Sequence, residues 1–295
     1  MKMIIKKCIN KVINRFQLPV QSQIDQIYQN MVKYIEQSNK YIEHINENLN
    51  HIYRSQFHCD PWLANAKDMH RGERCFILAT GPSLNKVDLS KIKDEVTFGV
   101  NGIYKLRDLD LNYFVYVSSW FMKEHLNGIK NVKCERRFLP SIYPQLESSV
   151  PTSWLNVHNP HYLNMEGEPQ LVPHGFSHIP QNGIFAGGSV IFLCLQLAYF
   201  MGFSDVVLLG LDHSFGEFDK KSKQFGGTYI KEESESHFDP NYNSENVEYH
   251  CDLNAMERGY NLAFEAFNND NRKIINASPG SKLEIFPKVN FEDLF

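Results

Sequence analysis

The residues best suited to chemistry in this chain are small, polar and placed where apolar runs end. Thr80-Gly81-Pro82-Ser83, Asn101-Gly102, Ser118-Ser119, Asp212-His213 and Ser278-Pro279-Gly280-Ser281 each close such a run. Small side chains let a ligand approach the backbone, and amides at the start of a helix bind phosphate. A sixth group, Gly187-Gly188-Ser189, opens a strongly apolar helix. Together they point to a nucleotide or another phosphorylated ligand. His237, in Ser236-His237-Phe238-Asp239-Pro240-Asn241-Tyr242, is the candidate base. Imidazole titrates near neutrality and can take a proton from an attacking hydroxyl.

Other chemistries lack their signatures. There is no GxxxxGK[ST] loop and no GxGxxG after the first apolar run, which argues against Walker-type ATPases and dinucleotide dehydrogenases. No Asp-x-Asp follows a strand, as metal-dependent sugar transferases commonly have. His158, His161, His174 and His178 cluster without the regular spacing of metal ligands and read as surface or core residues.

Elements of two kinds must position these groups. Cys75–Ala79, Thr97–Val100, Tyr113–Val117, Asp205–Leu209 and Lys273–Asn276 read as buried strands. Gly187–Met201 and Cys251–Asn268 read as helices. The alternation predicts an α/β fold, Rossmann-like, with a mostly parallel sheet and helices on both faces. Residues 136–182, rich in Pro, His and Asn, read as an irregular, substrate-facing insertion. Residues from about 213 to 249, polar and locally acidic, read as a lid.

Residues 1–60 read as a helical appendage. Ile24, Tyr28, Met31, Ile35, Ser38, Ile42, Ile45, Leu49 and Ile52 alternate four and three apart, a heptad seam suited to pairing between subunits or to lying along the globular body. Ahead of it, Lys2, Lys6, Lys7, Lys11 and Arg15 lie among Ile4, Ile5, Ile9, Val12, Ile13 and Phe16. That is a basic amphipathic helix, able to cap the protein's own core or to rest on an anionic membrane surface. Lys6 and Lys7 interrupt the apolar stretch that a signal peptide would need.

Bulk composition agrees. The 295 residues carry 30 Lys plus Arg against 34 Asp plus Glu, so the net charge is 30 − 34 = −4, which argues against nucleic acid as partner. Six scattered cysteines without a CxxC pair suit a reducing compartment, and Cys75 and Cys194 sit inside apolar runs as core residues. No apolar stretch reaches the length of a membrane span. The expected location is cytoplasmic, peripheral on the inner face of the cell membrane.

The order of these motifs resembles one superfamily, that of the bacterial Cst-type sialyltransferases and the MptE-like proteins, the latter named for a 6-hydroxymethylpterin pyrophosphokinase. The resemblance spans about residues 72–290 and lies in Phe76–Leu84, Phe98–Asn101, Gly187–Ser189, Val207–Asp212 and Asn276–Leu283. It implies a nucleotide-sugar-binding domain in a GT-A-like variant of the fold. Thr80, Gly81, Pro82 and Ser83 would then lie at the donor phosphates, with Thr80 replacing the family's Asn. Asn101 would contact a CMP-sugar, and Ser118 stands where the family has another donor-binding Asn. Gly188 and Ser189 open the matching helix, and Asp212 ends the matching strand. Ser278, Pro279 and Gly280 would hold base and ribose. His237 would be the general base, and Tyr229 or Tyr242 the hydroxyl on the leaving phosphate.

The implied activity is a glycosyltransferase moving a CMP-activated sialic or other nonulosonic acid onto a cell-surface glycan, as in lipopolysaccharide or capsule synthesis. It would need no cofactor, with Mg²⁺ at most an activator, and would work as a homo-oligomer. The alternatives are a Mg²⁺-dependent pyrophosphokinase, with Asp212 and Asp239 or Asp252 as ligands, and an oligomeric scaffold without catalysis.

Overall fold

The computed structural model describes residues 7, 11, 24–39, 60–106, 109–117, 122–141, 149–158, 175–214, 218–219, 228–230, 237–242, 248–250 and 253–295. The chain divides into two compact units, Met1–Arg54 and Ser55–Phe295. In the first, residues 24–39 are helical, as are Lys7 and Lys11. Ile27, Met31 and Tyr34, spaced one helical turn apart, are exposed large apolar residues on that helix. The rest of the basic segment and of the heptad seam lies outside the described residues.

The second unit is an α/β fold around a seven-stranded parallel sheet. In chain order its strands are β1 (Arg74–Leu78), β2 (Val96–Val100), β3 (Leu111–Val115), β4 (Cys134–Pro140) and β5 (Thr152–Leu155). After the short strands β6 (Val157–His158) and β7 (Ile184–Phe185), which pair with each other, come β8 (Asp205–Leu209) and later β12 (Lys273–Asn276). The spatial order is β12-β8-β1-β2-β3-β4-β5. From β1 the chain builds outward to β5, then returns to the other side of β1 with β8. The order in which successive strands are added therefore reverses between the parallel neighbours β1 and β8, and such a switch opens a crevice beyond the carboxyl ends of both strands.

Strand periodicity explains the layers. Cys75 and Ile77 of β1 face one cluster, with Val206 and Leu208 of β8. Phe76, Leu78, Val207 and Leu209 face the other. The helices Val190–Met201 and Leu253–Asn269 cover the first face. The helix Met122–Asn131 and the short 3₁₀ turns at Pro82–Lys86 and Leu89–Ile92 cover the second. Ten of the twelve residues of Val190–Met201 are buried. Each large apolar one contributes about 1.5–3 kcal/mol on burial, so this helix anchors the fold. Its single polar side chain in mid-helix, Gln196, is fully buried and satisfied: its oxygen accepts from the amides of Ser177 and Phe185, and its nitrogen donates to the carbonyls of Phe185 and Phe192.

The expectation of an irregular insertion over 136–182 is overturned in part. Its first portion continues the sheet as β4 and β5, both parallel to their neighbours. The concealing residue is Arg137, in the middle of β4 and fully buried. Its guanidinium donates to the Ile129 carbonyl at 2.7 Å and to the Thr152 hydroxyl at 2.8 and 3.1 Å. A run reading Cys-Glu-Arg-Arg does not look like a strand of a parallel sheet, yet it is the first half of one, with Glu135 exposed and Arg137 buried.

Within the expected lid, the described pieces are β9 (Phe218–Asp219), β10 (Thr228–Ile230) and β11 (Glu248–His250), a small antiparallel sheet in the order β11-β10-β9, together with residues 237–242. Among the described residues no helix is long and apolar enough to cross a membrane.

Candidate functional site

At the switch point, the turn after β1 meets the exit of β8. The Gly81 amide donates to the Gly210 carbonyl at 2.9 Å. A Cβ on Gly81 would come within 2.5 Å of that carbonyl and 2.7 Å of the Asp212 carboxyl, so glycine is required by close approach. Asp212 reaches across to Ser83. One carboxylate oxygen accepts from the Ser83 amide at 2.9 Å and the other from the Ser83 hydroxyl. The amide that the sequence offers to a ligand phosphate is thus held by an internal carboxylate.

The β12 turn is fastened to the same exit. Ser278 Oγ accepts from the Leu211 amide at 2.9 Å, and Ser281 Oγ donates to the Leu211 carbonyl at 2.6 Å. Asn276 braces both serines, accepting from the Ser278 amide and donating to Ser281 Oγ. Ser278 is buried, whereas Pro279 is half-buried and Gly280 exposed with open space before it. Of the three turn residues named for base and ribose, Pro279 and Gly280 present a surface and Ser278 works inward.

His237 is brought to the β1 turn from 157 residues away. Its Nδ1 lies 3.2 Å from Thr80 Oγ1. The next residue locks the backbone: the Phe238 amide donates to the Thr80 carbonyl at 2.9 Å, and Asn85 Nδ2 donates to the Phe238 carbonyl at 2.8 Å. Tyr242 stacks under the imidazole, ring centres 3.7 Å apart at 16°. Its phenol oxygen accepts from the Gly102 amide at 2.9 Å. Burial pushes the Tyr242 phenol up to about 12, against the opposing pull of the Gly102 amide and the nearby Thr80 hydroxyl. A Cβ on Gly102 would sit 2.3 Å from the Tyr242 ring, so this glycine too is set by a close neighbour. Lys105 closes the segment, its ammonium bonded to the Asn241 carbonyl and 3.5 Å from the Asp239 carboxylate.

Asn101, at the tip of β2, has a left-handed backbone (φ 50°), and its buried side-chain oxygen has no hydrogen-bond partner among the described residues. Left-handed non-glycine residues and buried orphan acceptors are both uncommon, and strained backbone clusters at functional sites.

Gly188 and Ser189 lie at the start of the Val190–Met201 helix, on the rim where parallel strands end, because a crossover helix runs opposite to the strand it feeds. Ser189 is its N-cap: the side chain accepts from the Ile191 amide at 3.2 Å and from the Tyr260 hydroxyl at 2.8 Å. Its hydroxyl is occupied within the fold. The neighbouring His213 pairs with Glu257 at 3.1 Å. Ser118 lies outside the described residues, and Tyr229 is placed only as the centre of β10.

The structure thus gathers Thr80, Gly81, Ser83, Asn101, Asp212, His237, Tyr242 and the Ser278–Gly280 turn along one rim. Gly102, singled out with Asn101 in the sequence, and Asn85 and Lys105, which sequence reasoning missed, hold the His237 segment there. Of the two missed residues, Asn85 carried a signal, standing in the same turn as Gly81. Of the acidic residues considered for Mg²⁺, Asp212 serves Ser83 and Asp239 accepts from the Asn241 amide. Asp252 lies outside the described residues, among which no three His, Cys, Asp or Glu side chains converge. A further groove of about 540 Å³, lined by Lys93, Glu95, Asp110, Asn112, Lys133 and Glu135, lies at the amino ends of the strands, opposite the usual ligand edge.

No protein-family model and no curated protein matches this sequence.

Proposed function

We propose that this protein is a glycosyltransferase that uses a CMP-activated sugar, of the sialic or nonulosonic acid class, with His237 as general base. The observation that carries the reading is the seating of His237 on Thr80, at the turn where an open α/β sheet takes its ligand. The orphan Asn101 oxygen supports it, being an acceptor for a donor hydroxyl or amino group.

In the reaction, the acceptor's O–H bond breaks and its proton passes to the imidazole. The freed oxygen pair forms a bond to the anomeric carbon, while the bond from that carbon to the CMP phosphate breaks and its electron pair leaves on the phosphate. The imidazolium returns its proton to solvent. A positioned base is worth roughly 10²- to 10⁴-fold in such a step. CMP is a stable leaving group, so the chemistry does not strictly require a divalent ion. The acceptor is a glycan on the cell surface pathway, reached from the cytoplasmic face of the membrane.

The protein works as a homo-oligomer in this reading, with further copies covering the apolar stripe that exposes Ile27, Met31 and Tyr34. The positions flanking that seam are mostly neutral, so identical copies meet little like charge. Met31→Glu should lower the mass measured by light scattering, and an unchanged mass would remove this helix from assembly.

Calorimetric titration tests the activity class. Micromolar CMP binding without metal is expected. Binding of ATP alone, and only with Mg²⁺, would replace the proposal with diphosphate transfer, and binding of neither nucleotide would favour a scaffold.

A further inference from the structure

Thr80 stands where the resembling sialyltransferases place an Asn at the donor phosphates, yet its hydroxyl is turned away from any such duty. The residue is 8 % exposed, and Oγ1 faces His237 Nδ1 at 3.2 Å with the Tyr242 phenol beside it. Its carbonyl is taken by the Phe238 amide.

We propose that Thr80 is a positioning residue, whose hydroxyl holds Nδ1 of His237 so that Nε2 is the nitrogen exchanging a proton with the acceptor. The proposal deepens the glycosyltransferase reading and rests on it for the identity of that acceptor. Two contacts from described residues constrain the imidazole. Stacking on Tyr242 fixes the plane of the ring. A hydrogen bond at Nδ1 then fixes which edge points where, because rotating the ring would exchange a nitrogen for a carbon at Thr80. In the proton-accepting state Nδ1 carries hydrogen and donates it to Thr80 Oγ1. After Nε2 takes the acceptor's proton, the same Nδ1–H remains bonded. A hydroxyl both donates and accepts, so it stays paired through the whole cycle. Serine-dependent triads use a carboxylate at the equivalent place, where loss of the correct tautomer is costly.

The test compares Thr80→Val, which keeps the shape and removes the hydroxyl, with Thr80→Ser, which keeps the hydroxyl. Thr80→Val should lower kcat about 10- to 100-fold, with the donor KM and the CMP affinity unchanged within about two-fold. Thr80→Ser should recover most of the rate. Long-range ¹H–¹⁵N spectra of the full-length protein, assigned with His237→Gln, should show one imidazole tautomer in the wild type and a mixture in Thr80→Val. A raised donor KM with unchanged kcat in Thr80→Val would return Thr80 to the donor site and overturn the proposal. So would an unaltered tautomer in that variant. If the wild type neither binds CMP nor transfers sugar, the functional reading fails instead, and the imidazole spectra alone decide the role of Thr80.

Discussion

Asp212 turns both of its carboxylate oxygens onto one residue, Ser83, 129 positions earlier in the chain. The pair bridges the exits of β1 and β8, the two parallel strands between which the strand order reverses. One of its two bonds uses a backbone amide at a turn otherwise shaped to receive an anion, so the protein supplies its own negative charge there. A phosphate brought to this turn would have to bind beside this carboxylate, not in its place.

Asp212→Ala should therefore act first on stability. The Ser83 amide and hydroxyl would be left buried without an acceptor, and a hydrogen bond to a charged group contributes about 1.5–3 kcal/mol. Urea unfolding should show a loss of that order. Asp212→Asn, which keeps an acceptor for the amide, should lose less. Equal losses would mean that the charge, and not the pairing, is what matters.

His237→Ala should leave the fold and CMP affinity intact while reducing transfer by roughly 10²- to 10⁴-fold. Its backbone is held by Thr80 and Asn85 through Phe238, so truncating the imidazole removes no backbone anchor. Initial rates with a CMP-sugar donor, beside a CMP titration, check this. Unchanged turnover would remove His237 from the mechanism.

Alkaline pH should destabilise the protein over a defined window. Burial holds the Tyr242 and Tyr199 phenols up at about 12 against an ordinary value of 10, and the Cys134 thiol at about 12 against 9. Between pH 9 and 12 the unfolded chain releases these protons while the folded chain keeps them. The unfolded state then binds fewer protons, and stability falls as pH rises. For Tyr242 alone, the rise from 10 to about 12 corresponds to about 3 kcal/mol. Chemical denaturation at successive pH values should show a stability plateau below pH 9 and a decline up to 12, shallower in Tyr242→Phe.

Arg137 sets up a contrast between two substitutions. No carboxylate pairs with its guanidinium among the described residues; its partners are a carbonyl and a hydroxyl. Arg137→Met removes a buried charge, keeps most of the volume and orphans no counter-ion, so it should cost less than about 2 kcal/mol. Arg137→Ala adds a cavity and should cost about 3 kcal/mol or more. Thermal melts of both would show whether shape or charge dominates at this position.

Much of this architecture can be read from local pattern. The apolar runs at Arg74–Leu78, Val96–Val100, Asp205–Leu209 and Lys273–Asn276 end in small residues, and all four are strands that stop at the site. β4 was hidden because its polar residues are satisfied by partners distant in sequence, such as Thr152 for Arg137. The site divides in the same way. The glycine and serine turns follow from composition, but which hydroxyls face inward does not. Ser189 caps a helix, a role its place before an apolar run does signal, and Ser278 braces Leu211. The pairing of Thr80 with His237 has no local signature, because nothing near either residue encodes the other.

The piece of chain from 237 to 242 is short, held by bonds to Thr80, Asn85, Gly102 and Lys105 and by the burial of Phe238 and Tyr242. The seven-stranded sheet beneath it is buried on both faces. Releasing the small piece costs far less free energy than melting the sheet, so warming should populate molecules with intact secondary structure and a dismantled site. Heat inactivation would then begin several degrees before circular dichroism reports any loss of structure.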